Sequence, residues 1–290
     1  MSSTSDIRRR IKSVKNIQQI TKAMKMVAAA RLRKAQERAL ASKPYTDKII
    51  EILMNVAQGT DGNEIAHPLL AVREVKKIGY LIVSADKGLA GAYSSNVIKE
   101  ALPFVKGRDN VGINTVGRKS RDYFKRRGYA IDHEYSGFSE KPTYQDAVQL
   151  AKDMAESYMS GKYDEIHVVY TRFFSPGHFT PESLKLLPLD SPKREAGDAP
   201  IGAGCPIIFE PSLAEVLDAL LPKYLETVIY GALTQSAASE LGSRMMAMSA
   251  ATDNAQELIA ILILNYNKVR QANITREISE IVGGSESLRQ

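Results

Sequence analysis

The sequence is short of the residues from which disulfides and metal sites are usually built. It has a single cysteine, Cys205, so no disulfide can form within the chain. Cys205 has no metal-ligand or nucleophile pattern around it, and we interpret it as a buried or loop thiol of a reduced protein on the cytosolic side. The four histidines are scattered, and His167, within an apolar run, is interpreted as structural. No metal, cofactor or catalytic set is predicted.

Long apolar runs are also missing. The most apolar segment, 258–264, is far shorter than the roughly 20 residues that a transmembrane helix needs. No secretory apolar region follows Met1. We therefore expect neither a membrane span nor a signal peptide.

Phosphate-binding loops are absent from the sequence as well. No G-x-x-x-x-G-K-[ST] motif occurs, and Gly88 and Gly91 do not have the G-x-G-x-x-G spacing. The expected structure around these glycines is a tight turn between a strand and a helix. A nucleotide-dependent enzyme remains an alternative, and it would require the middle of the chain to bind ATP.

The first sixty residues are typical of one long helix. The stretch 5–58 contains no glycine and a single proline. Its apolar residues from Ile7 to Val27 are spaced three or four apart, which is the helical period, and alanines follow. Pro44 removes a backbone donor and crowds the preceding turn, so we predict a kink or break near residues 42–43.

The C-terminal part carries a heptad pattern. The apolar steps from Leu241 to Val269 alternate between four and three residues, through Thr252, which is typical of a coiled coil. Pro222 predicts a short helix near residues 212–220 and a break or kink before the long one. The predicted seam of the coiled coil consists of Leu241, Met245, Met248, Ala255, Ile259, Leu262, Tyr266 and Val269.

Charge favours pairing of the two ends. Residues 1–43 carry twelve Lys and Arg against two acidic residues, whereas 210–290 carry six against ten. Opposite signs favour an intramolecular helix pair. The basic arm leaves open a second interpretation, a basic coiled coil that binds nucleic acid. No aromatic residue precedes Tyr45 in that arm, so side chains for base stacking are lacking there.

The middle of the chain alternates predicted strands and helices. Strands are predicted at 77–85, 111–116 and 165–173, a weaker one at 129–134, and edge strands at 184–189 and 207–210; helices are predicted at 96–105, 119–127 and 144–159. This alternation is typical of an open sheet with helices on both faces. We therefore predict an α/β protein: a long antiparallel coiled coil of the N- and C-terminal helices (1–67 and 211–290) with an inserted Rossmann-like open-sheet domain (68–210).

Four groups of residues resemble the gamma subunit of bacterial F-type ATP synthases. They are IRRRIKSVKN and ITKAMKMVAA (7–16 and 20–29), SADKGLAGAYSSN (84–96), AASE and RMMAM (237–240 and 244–248), and YNKVRQANITREISEIVGG (266–284). They occur in the family order and cover both ends and the middle. One departure is Ala90, where many relatives carry cysteine.

The resemblance implies a noncatalytic central rotor of the proton-translocating ATP synthase. Such a subunit transmits torque between the membrane c-ring and the catalytic ring, and it is required for ATP synthesis coupled to hydrogen ion transport. The implied partners are the alpha and beta subunits, the epsilon subunit and the c-ring, with no cofactor and no nucleic acid. The implied location is the cytoplasmic side of the cell membrane, peripheral, with membrane contact only through the complex.

The resemblance also implies contact residues toward the alpha and beta subunits. They are Met24, Lys25, Arg270, Gln271, Thr275 and Glu277. Without the family match, the polar ones would be interpreted as a solvated helix face.

Overall fold

The computed structural model describes residues 4–59, 67–71, 73–108, 110–189 and 212–287. The elements in chain order are α1 (Thr4–Gly59), β1 (Ile78–Val83), α2 (Tyr93–Val105), β2 (Val111–Val116), α3 (Arg118–Arg126), β3 (His133–Tyr135), α4 (Tyr144–Met159), β4 (Glu165–Ser175), β5 (His178–Leu187) and α5 (Leu213–Ser287). The chain divides into two compact units. The helical unit comprises 1–28 and 245–290, and the α/β unit comprises 29–244.

Helix α1 runs on through Pro44, so the predicted break at residues 42–43 is wrong. Pro44 is exposed, and a proline removes only one backbone donor from a helix that has many. On either side of it, Leu32 and Ile49 are buried in the α/β unit. Packing on both sides of the proline holds the helix together, as tertiary contacts commonly override local propensity.

Helix α5 is also uninterrupted, and the predicted separate short helix at 212–220 is wrong. Pro222 lies inside the helix, flanked by a stripe of buried residues at helical spacing. The stripe consists of Leu217, Leu221, Leu225, Ile229 and Leu233. Each buried leucine contributes on the order of 1.5–3 kcal/mol relative to exposure, which together exceeds the cost of about 3 kcal/mol for an interior proline.

The α/β unit contains a five-stranded sheet in the order β3-β2-β1-β4-β5. The pairs β3–β2, β2–β1 and β1–β4 are parallel, and β5 pairs antiparallel with β4. Two apolar cores cover the sheet. One contains α4 with parts of α1 and α5, and the other contains α2 and α3. The predicted fold class, an α/β sheet flanked by the terminal helices, is confirmed.

Most elements lie where the sequence pattern predicts them. The strand at 111–116 and the helix at 144–159 match exactly. β3 begins four residues later than the predicted strand at 129–134, and β5 begins six residues earlier than the one at 184–189. The predicted edge strand at 207–210 and Cys205 lie outside the described residues.

Candidate functional surfaces

The two helices of the helical unit run antiparallel, and three hydrogen bonds between their side chains show this. Arg8 donates to the Tyr266 hydroxyl at 2.8 Å, Thr252 donates to the Thr21 hydroxyl at 2.8 Å, and Lys25 donates to the Ser249 hydroxyl at 2.9 Å. As the residue number rises on α1, the number of its partner on α5 falls. Thr21 is the buried member of this set.

The residues of the predicted seam are the less exposed ones on this part of α5. Met248, Ala255 and Ile259 are buried. Met245, Leu262, Tyr266 and Val269 are half-buried, and most of the residues between the seam positions are exposed. Leu241 is buried within the α/β unit. The burial of these side chains is consistent with a packed helix pair.

The last part of α5 has no described partner helix. Because Arg8 contacts Tyr266 and α1 begins at Thr4, residues beyond about 270 extend past the described end of α1. Residues 270–282 are all exposed. We call residues 270–282 the α5 tip. Four large apolar side chains are exposed on it: Ile274, Ile278, Ile281 and Val282. Ile281 is 71% exposed, and an isolated helix of this kind leaves apolar surface available to a partner.

The predicted contact residues fall into two groups. Arg270, Gln271, Thr275 and Glu277 are exposed and lie on the α5 tip. Met24, on α1 of the helix pair, is half-buried. Lys25 is exposed, and its amine donates a hydrogen bond to the Ser249 hydroxyl. Their contact with another chain remains a prediction.

The loop after β1, residues 84–92, joins several elements of the α/β unit. The Asp86 carboxylate accepts hydrogen bonds from the backbone N–H groups of Gly137 at 2.8 Å, Ser139 at 3.1 Å and Arg118 at 3.3 Å. Leu89 and Gly91 have positive φ angles of 63° and 54°. Within the predicted turn the positive φ favours glycine at Gly91, whereas Leu89 adopts a positive φ without being glycine and Gly88 is not in this conformation.

Helix α5 binds this loop through backbone carbonyls. Ser243 donates to the Ala90 carbonyl at 2.7 Å, and Arg244 donates to the Gly88 carbonyl at 3.3 Å. Because residue 90 contributes its carbonyl, the alanine found here in place of cysteine keeps this contact. The loop is thereby a docking point for α5 within the α/β unit.

Arg244 is also the centre of a buried ion cluster that the sequence reading missed. Its guanidinium lies 2.6 Å from Glu240 and 3.2 Å from Glu140. The side chains of Arg244 and Glu240 are only 8% and 1% exposed. Glu240 and Arg244 are one helical turn apart, a spacing that could have indicated the pair. Glu140 lies about a hundred residues away along the chain, and no local pattern points to it.

Burial sets the electrostatics of the cluster. Removal from water raises the pKa of Glu240, the neighbouring Arg244 opposes this rise, and the Glu140 charge adds to it. The Arg244 guanidinium donates a hydrogen bond to Glu240 and forms a further ion pair with Glu140, and removal of Arg244 would leave the buried Glu240 carboxylate uncompensated.

The described residues offer no cluster of three or more metal-type side chains. The histidines there have separate surroundings: His67 lies 3.2 Å from Asp218, and His167 lies 3.4 Å from Glu165 and stacks on Tyr80. No helix among the described residues is long and apolar enough to cross a bilayer.

Comparison with known proteins identifies relatives over the whole length. The family model described as ATP synthase matches residues 3–288. The ATP synthase gamma chain of Heliobacterium modesticaldum is 48% identical over 99% of this chain and 100% of that protein. The gamma chain of Pelotomaculum thermopropionicum is 47% identical with the same coverage.

Solved structures share the fold. The Euglena gracilis mitochondrial ATP synthase, in a structure of its OSCP, F1 and c-ring, contains a chain with a TM-score of 0.69 and 18% identity over 98% of this chain and 94% of that one. The central stalk and c-ring structure of the Tetrahymena thermophila mitochondrial ATP synthase contains one with a TM-score of 0.60 and 23% identity, covering 80% of this chain and 99% of that one.

The fold defines the class of the protein, an α/β protein in which two long terminal helices join an open sheet. The extent and level of identity to the curated relatives then decide its family. The chain belongs to the ATP synthase gamma chain family, and it is a noncatalytic subunit of a membrane-associated complex. This membership does not favour the nucleic-acid-binding alternative.

Proposed function

We propose that this chain is the central rotor of a proton-translocating ATP synthase. In this proposal the helical unit turns inside a ring of alpha and beta subunits, and the α/β unit faces the epsilon subunit and the c-ring. Proton flow turns the c-ring, the rotor follows, and the catalytic subunits change state in sequence. The single observation that carries the proposal is the α5 tip, a single exposed helix with apolar side chains beyond the described end of α1.

The shape of the helical unit suits a rotor. The part of α5 that belongs to the helical unit, residues 245–287, spans about 65 Å at 1.5 Å per residue. Two helices side by side, followed by one alone, present a different surface on each side. Such asymmetry is what a rotor needs in order to place identical catalytic subunits in different states.

Two sets of side chains are proposed to contact the ring. Met24 and Lys25 lie on the paired part, where Met24 offers a flexible, polarizable surface. Arg270, Gln271, Thr275 and Glu277 lie on the α5 tip, where charged and amide groups can bind loops of the ring directly. Because these four polar side chains are exposed, they stabilise the chain little. We therefore attribute their presence at these positions to contact with a partner.

The location follows from the partners. The neighbouring solved structures are a central stalk with its c-ring, a rotor, and an assembly of OSCP, F1 and c-ring, all from mitochondrial ATP synthases. For this chain we propose the cytoplasmic face of the cell membrane, with membrane contact only through the c-ring.

A double substitution of Arg270 and Gln271 by leucine tests the contact. If the two side chains only face solvent, synthesis should stay within about twofold of wild type, because exposed substitutions usually cost within about 0.5 kcal/mol. If they bind the ring, loss of charged hydrogen bonds worth about 1.5–3 kcal/mol each should lower synthesis about tenfold or more. ATP synthesis in membrane vesicles is measured per assembled complex.

The matched control changes Gln256 and Glu257 to leucine. These are also adjacent exposed polar residues of α5, but they lie in the paired part. We expect near wild-type synthesis from the control. Wild-type synthesis from the Arg270 and Gln271 variant would contradict the proposed contact.

A further inference from the structure

Glu140 contacts cations from three separate parts of the α/β unit. Its carboxylate lies 3.2 Å from Arg244 of α5 and 3.4 Å from Lys87 of the β1 loop, and its other oxygen binds Arg31 of α1. Glu140 itself stands just before α4, and its side chain is only 13% exposed. One carboxylate thus contacts both terminal helices and the loop after β1.

The cluster lies where both helices leave the α/β unit. That unit comprises 29–244, so Arg31 is among its first residues and Arg244 is its last. Helices α1 and α5 both continue beyond these positions. Any rotation passed from the α/β unit along the two helices has to pass these residues.

Directional bonds resist twisting in a way that apolar packing does not. The buried leucine stripe of α5 supplies adhesion, but the hydrophobic effect is non-directional and lets a helix slide or roll on its neighbour. Charge-assisted hydrogen bonds require particular distances and angles. Arg31 forms such a bond with Glu140, whereas Arg244 and Lys87 form ion pairs with it. Glu240, which binds the other side of the Arg244 guanidinium at 2.6 Å, fixes that side chain for the contact with Glu140.

We propose that Glu140 is the positioning residue that clamps both terminal helices to the α/β unit, so that the helices turn with it under load. This inference rests on the proposed rotor function. The cations bind one carboxylate together, so removal of its charge loosens α1 and α5 at once. Removal of this charge should lower the stiffness of the link between the terminal helices and the α/β unit, and it should leave the catalytic chemistry unchanged.

The test is Glu140→Gln in the assembled enzyme, which removes the charge and keeps the shape. In vesicles, proton pumping per ATP hydrolysed should fall at least threefold when the enzyme works against a proton gradient. Hydrolysis per complex in detergent, where there is no load, should stay within twofold. Pumping per ATP equal to wild type would overturn the clamp.

Two controls separate the clamp from mere instability. Glu156→Gln makes the same chemical change in the exposed Lys152–Glu156 pair of α4, and coupling should not change. Val169→Ala removes buried apolar volume from β4, and Val169 is not one of the residues that form the ion cluster. If Val169→Ala uncouples the enzyme as much as Glu140→Gln does at equal loss of thermal stability, the clamp is wrong.

A second variant covers the case in which Glu140→Gln does not assemble. Arg31 is about half exposed, so Arg31→Gln removes one arm with little risk to folding, and it should lower loaded coupling by a smaller factor. Where both variants assemble, the double variant should be no worse than Glu140→Gln alone, because the arms share one partner. Unchanged coupling in Arg31→Gln, with Glu140→Gln unassembled, would overturn the clamp.

The rotor function itself fails under a different result. If the wild-type chain does not assemble with the alpha and beta subunits, or if its removal leaves ATP-driven pumping intact, the proposed function is wrong whatever the Glu140 variants do. If wild type couples and Glu140→Gln couples equally well, only the clamp is wrong.

Discussion

Tyr163 lies against two glycines that are partners on neighbouring strands, and this contact predicts the effect of a single methyl group. Gly79 of β1 and Gly112 of β2 are in register. A Cβ on Gly112 would lie 2.2 Å from Cε1 of Tyr163, and a Cβ on Gly79 would lie 2.7 Å from Cδ2. The Tyr163 side chain is completely buried, and its hydroxyl donates to Asp132. In Gly112→Ala the ring must move.

We expect Gly112→Ala to destabilise the fold, which is opposite to the usual effect of a glycine-to-alanine substitution. Alanine in place of glycine inside a regular element normally stabilises by about 0.5–1 kcal/mol. Here overpacking costs about 1–3 kcal/mol if the ring only shifts, and expulsion of a large aromatic costs about 3–5 kcal/mol. A weakened bond to the Asp132 carboxylate adds to either cost. We expect Gly112→Ala to lower the free energy of unfolding by about 3 kcal/mol.

The assay has to report on the sheet alone, because the chain has two compact units and a single unfolding midpoint could mix them. Hydrogen exchange of the β1 and β2 amides, followed against urea concentration in the full chain, gives the opening free energy locally. Gly79→Ala serves as a graded companion. Its Cβ meets the ring less closely, so its loss should be smaller, about 1–2 kcal/mol.

A double-mutant cycle decides the cause. With Tyr163→Ala the obstructing ring is gone, so adding Gly112→Ala should cost almost nothing further. Gly112→Ala that is as stable as wild type, or losses that add fully in the double variant, would refute the assignment of Tyr163 as the reason for glycine at this position.

Three other expectations can be measured on the full chain. Thr252→Val removes the hydrogen bond to Thr21 and should lower the opening free energy of nearby α5 amides, measured by hydrogen exchange, by about 0.5–1.5 kcal/mol. The same change at the exposed Thr275 should alter that free energy by no more than about 0.5 kcal/mol. Equal effects of the two substitutions would contradict this prediction. Pro222→Ala restores a backbone donor inside α5 and should raise stability by about 1–2 kcal/mol in urea unfolding, and a lower midpoint would show that the helix needs the proline. Burial raises the pKa of five phenols, most of them also hydrogen-bonded to a carboxylate. The stability that these neutral phenols contribute is present below about pH 10 and should be lost as the pH rises further. Phenolate absorbance should therefore change together with circular dichroism, and phenolate formation in the folded chain would contradict this prediction. These phenols are Tyr93, Tyr135, Tyr144, Tyr163 and Tyr170.

The sequence by itself was sufficient for the long helices, the alternating middle and the family. A 3.5-residue apolar spacing indicates a helix with one buried face, and a long run without glycine favours helical backbone hydrogen bonding. The strand at 111–116, a short apolar run, and the helix at 144–159, with apolar residues at helical spacing, were also predicted to the residue. The predicted contact residues came from the resemblance alone, and their spacing would equally suit a solvated helix.

Only the tertiary structure decided what happens at the prolines and in the ion cluster. Proline propensity predicted interruptions at Pro44 and Pro222, but packing on both sides of each outweighs one lost hydrogen bond. The contact between Glu140 and Arg244 joins residues about a hundred positions apart. No local period records such a pair, because its energy comes from burial and geometry that exist only after the sheet and both helices have come together.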